Sequence, residues 1–153
     1  MSDPTIERRL HIDAPPAVVF QVISDPGHVA QWWPDEARYR AEAGSRGEIV
    51  FRSAAGEVTE GFEVVEAQPP RLFSFRWTQA PGIRADLHNS FLVVFELTAD
   101  GDGTLLRMTE SGFHDRGWDA AAAEAAYRDH VTGWDLFLPH IAPYVASRSA
   151  RAR

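Results

Sequence analysis

One stretch limits what this chain can become: residues 119–145, near the C-terminus. It opens on an alanine run, 120–126, broken only by Glu124. Alanine is the best helix former because it has no side-chain freedom to lose. The larger apolar residues that follow are Tyr127, Val131, Trp134, Leu138, Ile141 and Val145. They recur every three or four positions and so form one stripe. Pro139 and Pro143 interrupt that stripe. Each removes a hydrogen bond and crowds the carbonyl one turn back, so a kink near Leu136 or a break into two pieces is expected. Nearly everything before this helix reads as short strands. A sheet with one oily face needs a cover, and no other predicted helix is long enough to lie across it.

Taken in order, 5–12 reads as a first strand, with Ile6, Leu10 and Ile12 on one parity. Asp13-Ala14-Pro15-Pro16 starts a short helix that ends near Ile23, since proline fits a first turn. Residues 24–27 stop it and can cap a second, 28–32; Pro34 then pushes Trp33 out of helical geometry. Strands are expected over 37–42, 47–53, 57–67, 72–78, 88–99 and 104–111. The clearest alternation is Phe73, Phe75 and Trp77 against Ser74 and Arg76, the mark of a half-buried antiparallel strand. Asp100-Gly101-Asp102-Gly103 is a hairpin signal. The order is strand, two short helices, about six antiparallel strands and a long helix, which is α+β.

Several function classes are excluded. With no cysteine in 153 residues there is no thiolate nucleophile, disulfide or iron–sulfur site. All 15 basic side chains other than histidine are arginine, so Schiff-base and P-loop lysine chemistry is absent too. A net charge of −7 disfavours a nucleic-acid surface. No segment approaches the roughly 20 apolar residues of a membrane span, and no export signal is visible, so a cytoplasmic protein is expected. No metal spacing or glycine-rich nucleotide loop occurs, so neither metal nor cofactor is expected. Ser24, Ser90 and Ser111 lack the context of a serine nucleophile.

The landmarks carry a resemblance. They are Ile12-Asp13-Ala14-Pro15 with Val19-Phe20, Asp25-Pro26 with Trp32-Trp33-Pro34, and Glu66-Ala67-Gln68-Pro69-Pro70-Arg71 leading to Trp77. Then follow Phe95-Glu96-Leu97, Gly103-Thr104, Thr109-Glu110-Ser111-Gly112-Phe113 and Gly133-Trp134. In this order and spacing the chain resembles the START and Bet v 1-like superfamily. Within it, it is most similar to the family of the C-terminal domain of the activator of heat-shock protein 90 ATPase. The resemblance implies a helix-grip fold over 1–153, with about 5–146 ordered and 147–153 a flexible tail. A curved antiparallel sheet of six to seven strands would wrap around the long helix and enclose an apolar cavity. Members bind lipids, polyketides or other apolar molecules, and some catalyse cyclisation or dehydration. A small apolar ligand is therefore the expected partner; monomer and homodimer stay open. A chaperone-related interaction module stands third, because the eukaryotic activator's chaperone-contacting N-terminal domain has no counterpart in these residues.

Candidate chemistry sits on few residues. Glu110 shares parity with Leu106 and Met108, so it points to the cavity if they do. A carboxyl beside apolar walls is a candidate acid or base. The plainer reading is a carboxylate paired with backbone or arginine. Glu60 and Glu66 share parity with Phe62 and Val64, unless a bulge at Gly61 flips them. His88 follows a loop and is the third catalytic candidate; His130 lies beside Val131 of the stripe, within reach of the cavity. The expected wall consists of Phe62, Phe73, Phe75, Trp77, Phe95, Met108 and Trp134. For most of these aromatics ordinary core is the simpler reading. Trp32 and Trp33 are expected near the entrance as a lid, Trp33 touching the ligand.

Overall fold

The computed structural model describes residues 4–151, with side chains described to residue 148. The chain runs β1 (Ile6–Ile12), α1 (Pro16–Ser24), α2 (Pro26–Trp32), β2 (Glu36–Arg38), β3 (Arg46–Ser53), β4 (Gly56–Gln68), β5 (Leu72–Trp77), β6 (Phe91–Asp100) and β7 (Gly103–Ser111). It ends with α3 (Ala120–Phe137), a 3-10 turn (Leu138–His140) and α4 (Ile141–Arg151). The strands form one antiparallel sheet in the order β1-β7-β6-β5-β4-β3-β2. The chain starts at one edge, crosses to the other through α1 and α2, and returns strand by strand until β7 lies beside β1. This is the helix-grip arrangement.

Alternation decides which face is buried. In β6, Phe91, Val93, Phe95 and Leu97 are buried; in β7, Leu106, Met108 and Glu110 share that face. Phe73 and Phe75 of β5 join them. The opposite face is polar and threaded by arginine forks: Arg107 bridges Glu7 and Glu96, Arg38 bridges Glu36 and Glu48, and Arg52 bridges Glu36 and Glu57.

The cover is shared, not carried by one helix. α1 lies on β5, β6 and β7, and its Val19, Phe20 and Ile23 are buried with Val29 and Trp32 of α2. Pro16 is the first residue of α1, as proline at an entry allows. Asp25 caps α2 by accepting a hydrogen bond from His28 N at 3.2 Å. Asp119 caps α3 by accepting one from Ala122 N at 2.8 Å. Within α3 only Ala123 and Trp134 are buried, whereas Leu138, Ile141 and Val145 beyond it are fully packed.

The two prolines break the long helix in two. Pro139 falls in the 3-10 turn, where a missing N–H costs little. Pro143 falls in the first turn of α4, where an N–H would have no helical partner anyway. α4 stays helical to Arg151, through 147–151, where the sequence suggests a loose tail; residues 152 and 153 lie outside the described residues.

Other boundaries shift for local reasons. The strand expected over 37–42 is only Glu36–Arg38. The strand expected from His88 begins at Phe91, because the Asp86 carboxylate accepts from the backbone N–H groups of both His88 and Asn89 and folds them into a turn. Gly61 keeps its register, and the irregularity lies between Val64 and Glu66. Glu66 is therefore exposed, not inward.

Thr104 is fully buried and donates from Oγ1 to the Ala14 carbonyl at 2.7 Å, tying β7 to the entry of α1. Thr104→Val keeps the shape but strands that carbonyl, and should lower urea-denaturation stability by about 1–3 kcal/mol; no measurable loss would mean water reaches Ala14. Separately, His11 lies 3.0 Å from both Asp100 and Asp13, which hold its imidazole above the ordinary histidine range. Its stabilising contribution is present below the unfolded-state pKa and is lost as pH rises through the folded one. NMR titration should show the His11 midpoint falling in Asp100→Asn; an unmoved midpoint contradicts this.

Candidate functional site

Glu110 is the centre of the site. Strand parity turns it inward beside Met108, and its exposure is 0%. A carboxyl that deep needs donors, and three side chains supply them. Trp77, at the end of β5, donates from Nε1 to Oε2 at 2.7 Å. Trp134, on α3, donates from Nε1 to Oε1 at 2.9 Å. His130 brings Nδ1 to 2.6 Å from Oε1. His130 and Trp134 are four residues apart, so they share one helix face.

Rings surround the histidine. Its centroid lies 4.6 Å from Phe91, 5.3 Å from Trp77 and 5.4 Å from Phe113. The side chain is 12% exposed. Glu60 faces the same interior, half-buried, and burial pushes its carboxyl above the usual range. The Arg116 guanidinium sits 4.9 Å from the Phe91 ring and 4.5 Å from Trp118, and donates to Thr78 Oγ1 at 3.1 Å. Thr78 itself is held at φ 82°, a costly conformation for a β-branched residue. Beside it, Gly61 lets the 78–80 segment press onto β4: a Cβ there would meet Gln79 O at 2.7 Å.

Trp33 joins this cluster to the core. Its ring centroid lies 4.8 Å from Trp134, 5.0 Å from Trp77, 5.6 Å from Phe75 and 5.9 Å from Phe51. Outside it opens a cleft of about 270 Å³ between α3 and the sheet, lined by Trp33, Phe51, Trp77, Asp129, His130, Thr132, Gly133, Trp134 and Phe137. Gly133 faces open space: a Cβ there would meet nothing within 4 Å. A wider groove of about 400 Å³ lies along β3, rimmed by Arg38, Arg46 and Glu48, and shares no residue with the Glu110 cluster.

The structure brings together Trp33, Trp77, His130 and Trp134 at the cleft, with Glu110 behind them. Phe73, Phe75, Phe95 and Met108 lie in the packed core, each 0–1% exposed. Phe62 is equally buried and flanks the β3 groove. Trp32 is a core residue whose Nε1 donates to Val22 O, not a wet lid. His88 is on an exposed loop, its Nδ1 2.8 Å from Asp115 O, and among the described residues it makes no hydrogen bond or ring contact to the Glu110 cluster. Phe51, Gly133 and Phe137 line the cleft but are absent from the wall expected from the sequence, although Gly133 is among the family landmarks. Phe137 follows Trp134 by three positions and Gly133 is a lone glycine inside a helix, so both left a trace. Arg116 sits in a loop without pattern and left none.

Among the described residues no group of three or more histidine or acidic side chains is placed to hold a metal, and no helix is long and apolar enough to cross a membrane. A search of curated protein sequences finds no match. Solved structures do match. Protein MLL2253 from Mesorhizobium loti aligns at 20% identity and TM-score 0.73, over 94% of this chain and 98% of that one. Protein NE0264 from Nitrosomonas europaea aligns at 12% identity and TM-score 0.78, over 95% and 96%. The Aha1 dimer from Colwellia psychrerythraea aligns at 23% identity and TM-score 0.65, over 93% and 96%. At these identities the likeness is one of fold. The model of the Activator of Hsp90 ATPase homolog 1-like protein family matches residues 13–146, and the chain belongs to that family.

Proposed function

We propose that this protein binds a small, largely apolar molecule in the cleft between α3 and the β3–β5 side of the sheet. One observation carries the reading: an open cleft walled by indole and phenyl rings, with an oriented histidine among them. Apolar walls with a few placed polar groups are the usual composition of a ligand site. The fully buried aromatics behind the wall make the site a cleft of limited size, not a large enclosed chamber.

The Glu110–His130 contact supports a second reading, an acid–base enzyme of the cyclase or dehydratase kind. In it Glu110 positions His130, because the carboxyl is itself enclosed by donors. His88 has no part in that arrangement, and Glu60 is the nearby second carboxyl.

Native mass spectrometry of freshly purified protein, with extraction and identification of anything bound, tests the first reading directly. The separating variant is Gly133→Leu. It replaces a helix-interior glycine, which costs about 0.5–1 kcal/mol relative to a better helix former, and projects a side chain into the open cleft. It should leave thermal stability equal or slightly raised while abolishing uptake of an apolar probe in calorimetry. Undiminished binding in Gly133→Leu would move the site elsewhere. Trp134→Phe should act differently: it keeps the ring but removes a donor to buried Glu110, so stability falls by about 1–3 kcal/mol. If it left stability unchanged, water would be replacing the indole.

A further inference from the structure

His130 is the polar residue of the cleft that the interior orients. Its Nδ1 faces Glu110, whose two oxygens already receive hydrogen bonds from indoles that can only donate. An acceptor oxygen at Nδ1 selects, of the two neutral tautomers, the one with its hydrogen on Nδ1 and its lone pair on Nε2. That nitrogen makes no hydrogen bond among the described residues. Rings of Trp77, Phe91 and Phe113 pack around the imidazole and hold it against turning.

We propose that His130 Nε2 is a hydrogen-bond acceptor that selects neutral, hydroxyl-bearing aromatic ligands of one or two rings. This deepens the binding reading and rests on it. Three features set the class. The cleft, at about 270 Å³, falls below the roughly 300–1,000 Å³ range of sites for drug-sized ligands. Its walls are flat aromatic faces, which favour stacked or edge-on rings. Its charge is unfavourable for anions: Asp129 lies on the wall, Glu110 and Glu60 stand behind it, and the Arg116 guanidinium is engaged with Phe91, Trp118 and Thr78. A neutral ligand whose polar group donates answers all three.

The test uses the full chain labelled with nitrogen-15. Imidazole correlation spectra first report the His130 protonation pattern. The protein is then titrated with 2-naphthol and with 2-methoxynaphthalene, which has the same rings but no hydroxyl donor. The indole N–H signals of Trp77 and Trp134 report occupancy of the cleft. Expected are an unprotonated Nε2 in the free protein, binding of 2-naphthol about five- to tenfold tighter than its ether, and a shift of the Nε2 resonance with the naphthol alone. Equal affinities for the two probes would overturn the role of His130 while leaving the cleft reading intact. Indole signals unmoved by either probe would overturn both. A doubly protonated ring in the free protein would also overturn the acceptor. His130→Phe should equalise the two probes, and the comparison in the wild-type chain decides the matter even if that variant folds poorly.

Discussion

The carboxyl of Glu110 is the point on which the rest of the interior converges. Removing a carboxylate from water costs several kcal/mol, and each hydrogen bond to a charged group returns about 1.5–3 kcal/mol. Only a set of donors brought from separate elements makes such burial tolerable. Here β5 brings Trp77, and α3 brings His130 and Trp134. The polar centre thus does what an apolar contact cannot: it fixes the rotation of α3 about its own axis. A shift of one residue along the helix would carry both donors off the carboxylate.

That constraint explains why the two halves of the C-terminal helix behave differently. Beyond the proline-marked 3-10 turn, α4 is anchored by buried Ile141 and Val145 against α1 and β1. α3 has only Ala123 and Trp134 fully buried. Its inner face leaves the cleft unfilled, and Gly133 keeps it so. The helix is held over the sheet chiefly by directed bonds, whereas α4 is held chiefly by packing, with one hydrogen bond from Tyr144 to His28 of α2.

Much of this was legible from residue patterns. Glu110 could be turned inward from the parity of Leu106 and Met108, and Trp134 from the helical stripe. The family landmarks fixed the order of elements. What stayed hidden depends on register and on local chemistry. That Trp77 reaches Glu110 requires Trp77 opposite Phe91, and Val93 opposite Glu110, across three strands; no single strand encodes that alignment. Parity alone leaves open which of Glu60 and Glu66 faces inward, and the irregularity after Val64, not at Gly61, turns Glu66 out. The strand expected from His88 starts later because a side chain, Asp86, outcompetes strand pairing for two backbone N–H groups. The cavity itself follows from side-chain volumes: Phe73, Phe75 and Phe95 fill the space that a curved sheet alone would leave empty.

The crowding of indoles has an optical consequence. Trp33 lies 4.8 Å from Trp134 and 5.0 Å from Trp77, so their excited states are coupled and share energy. Trp32 stacks on Trp33 at 6.1 Å and joins them. Trp118, 42% exposed, is the one tryptophan outside this group. The near-ultraviolet circular dichroism and the blue edge of the emission therefore belong to one place in the molecule. Light absorbed by this chain reports on the packing around Glu110 before it reports on the fold as a whole.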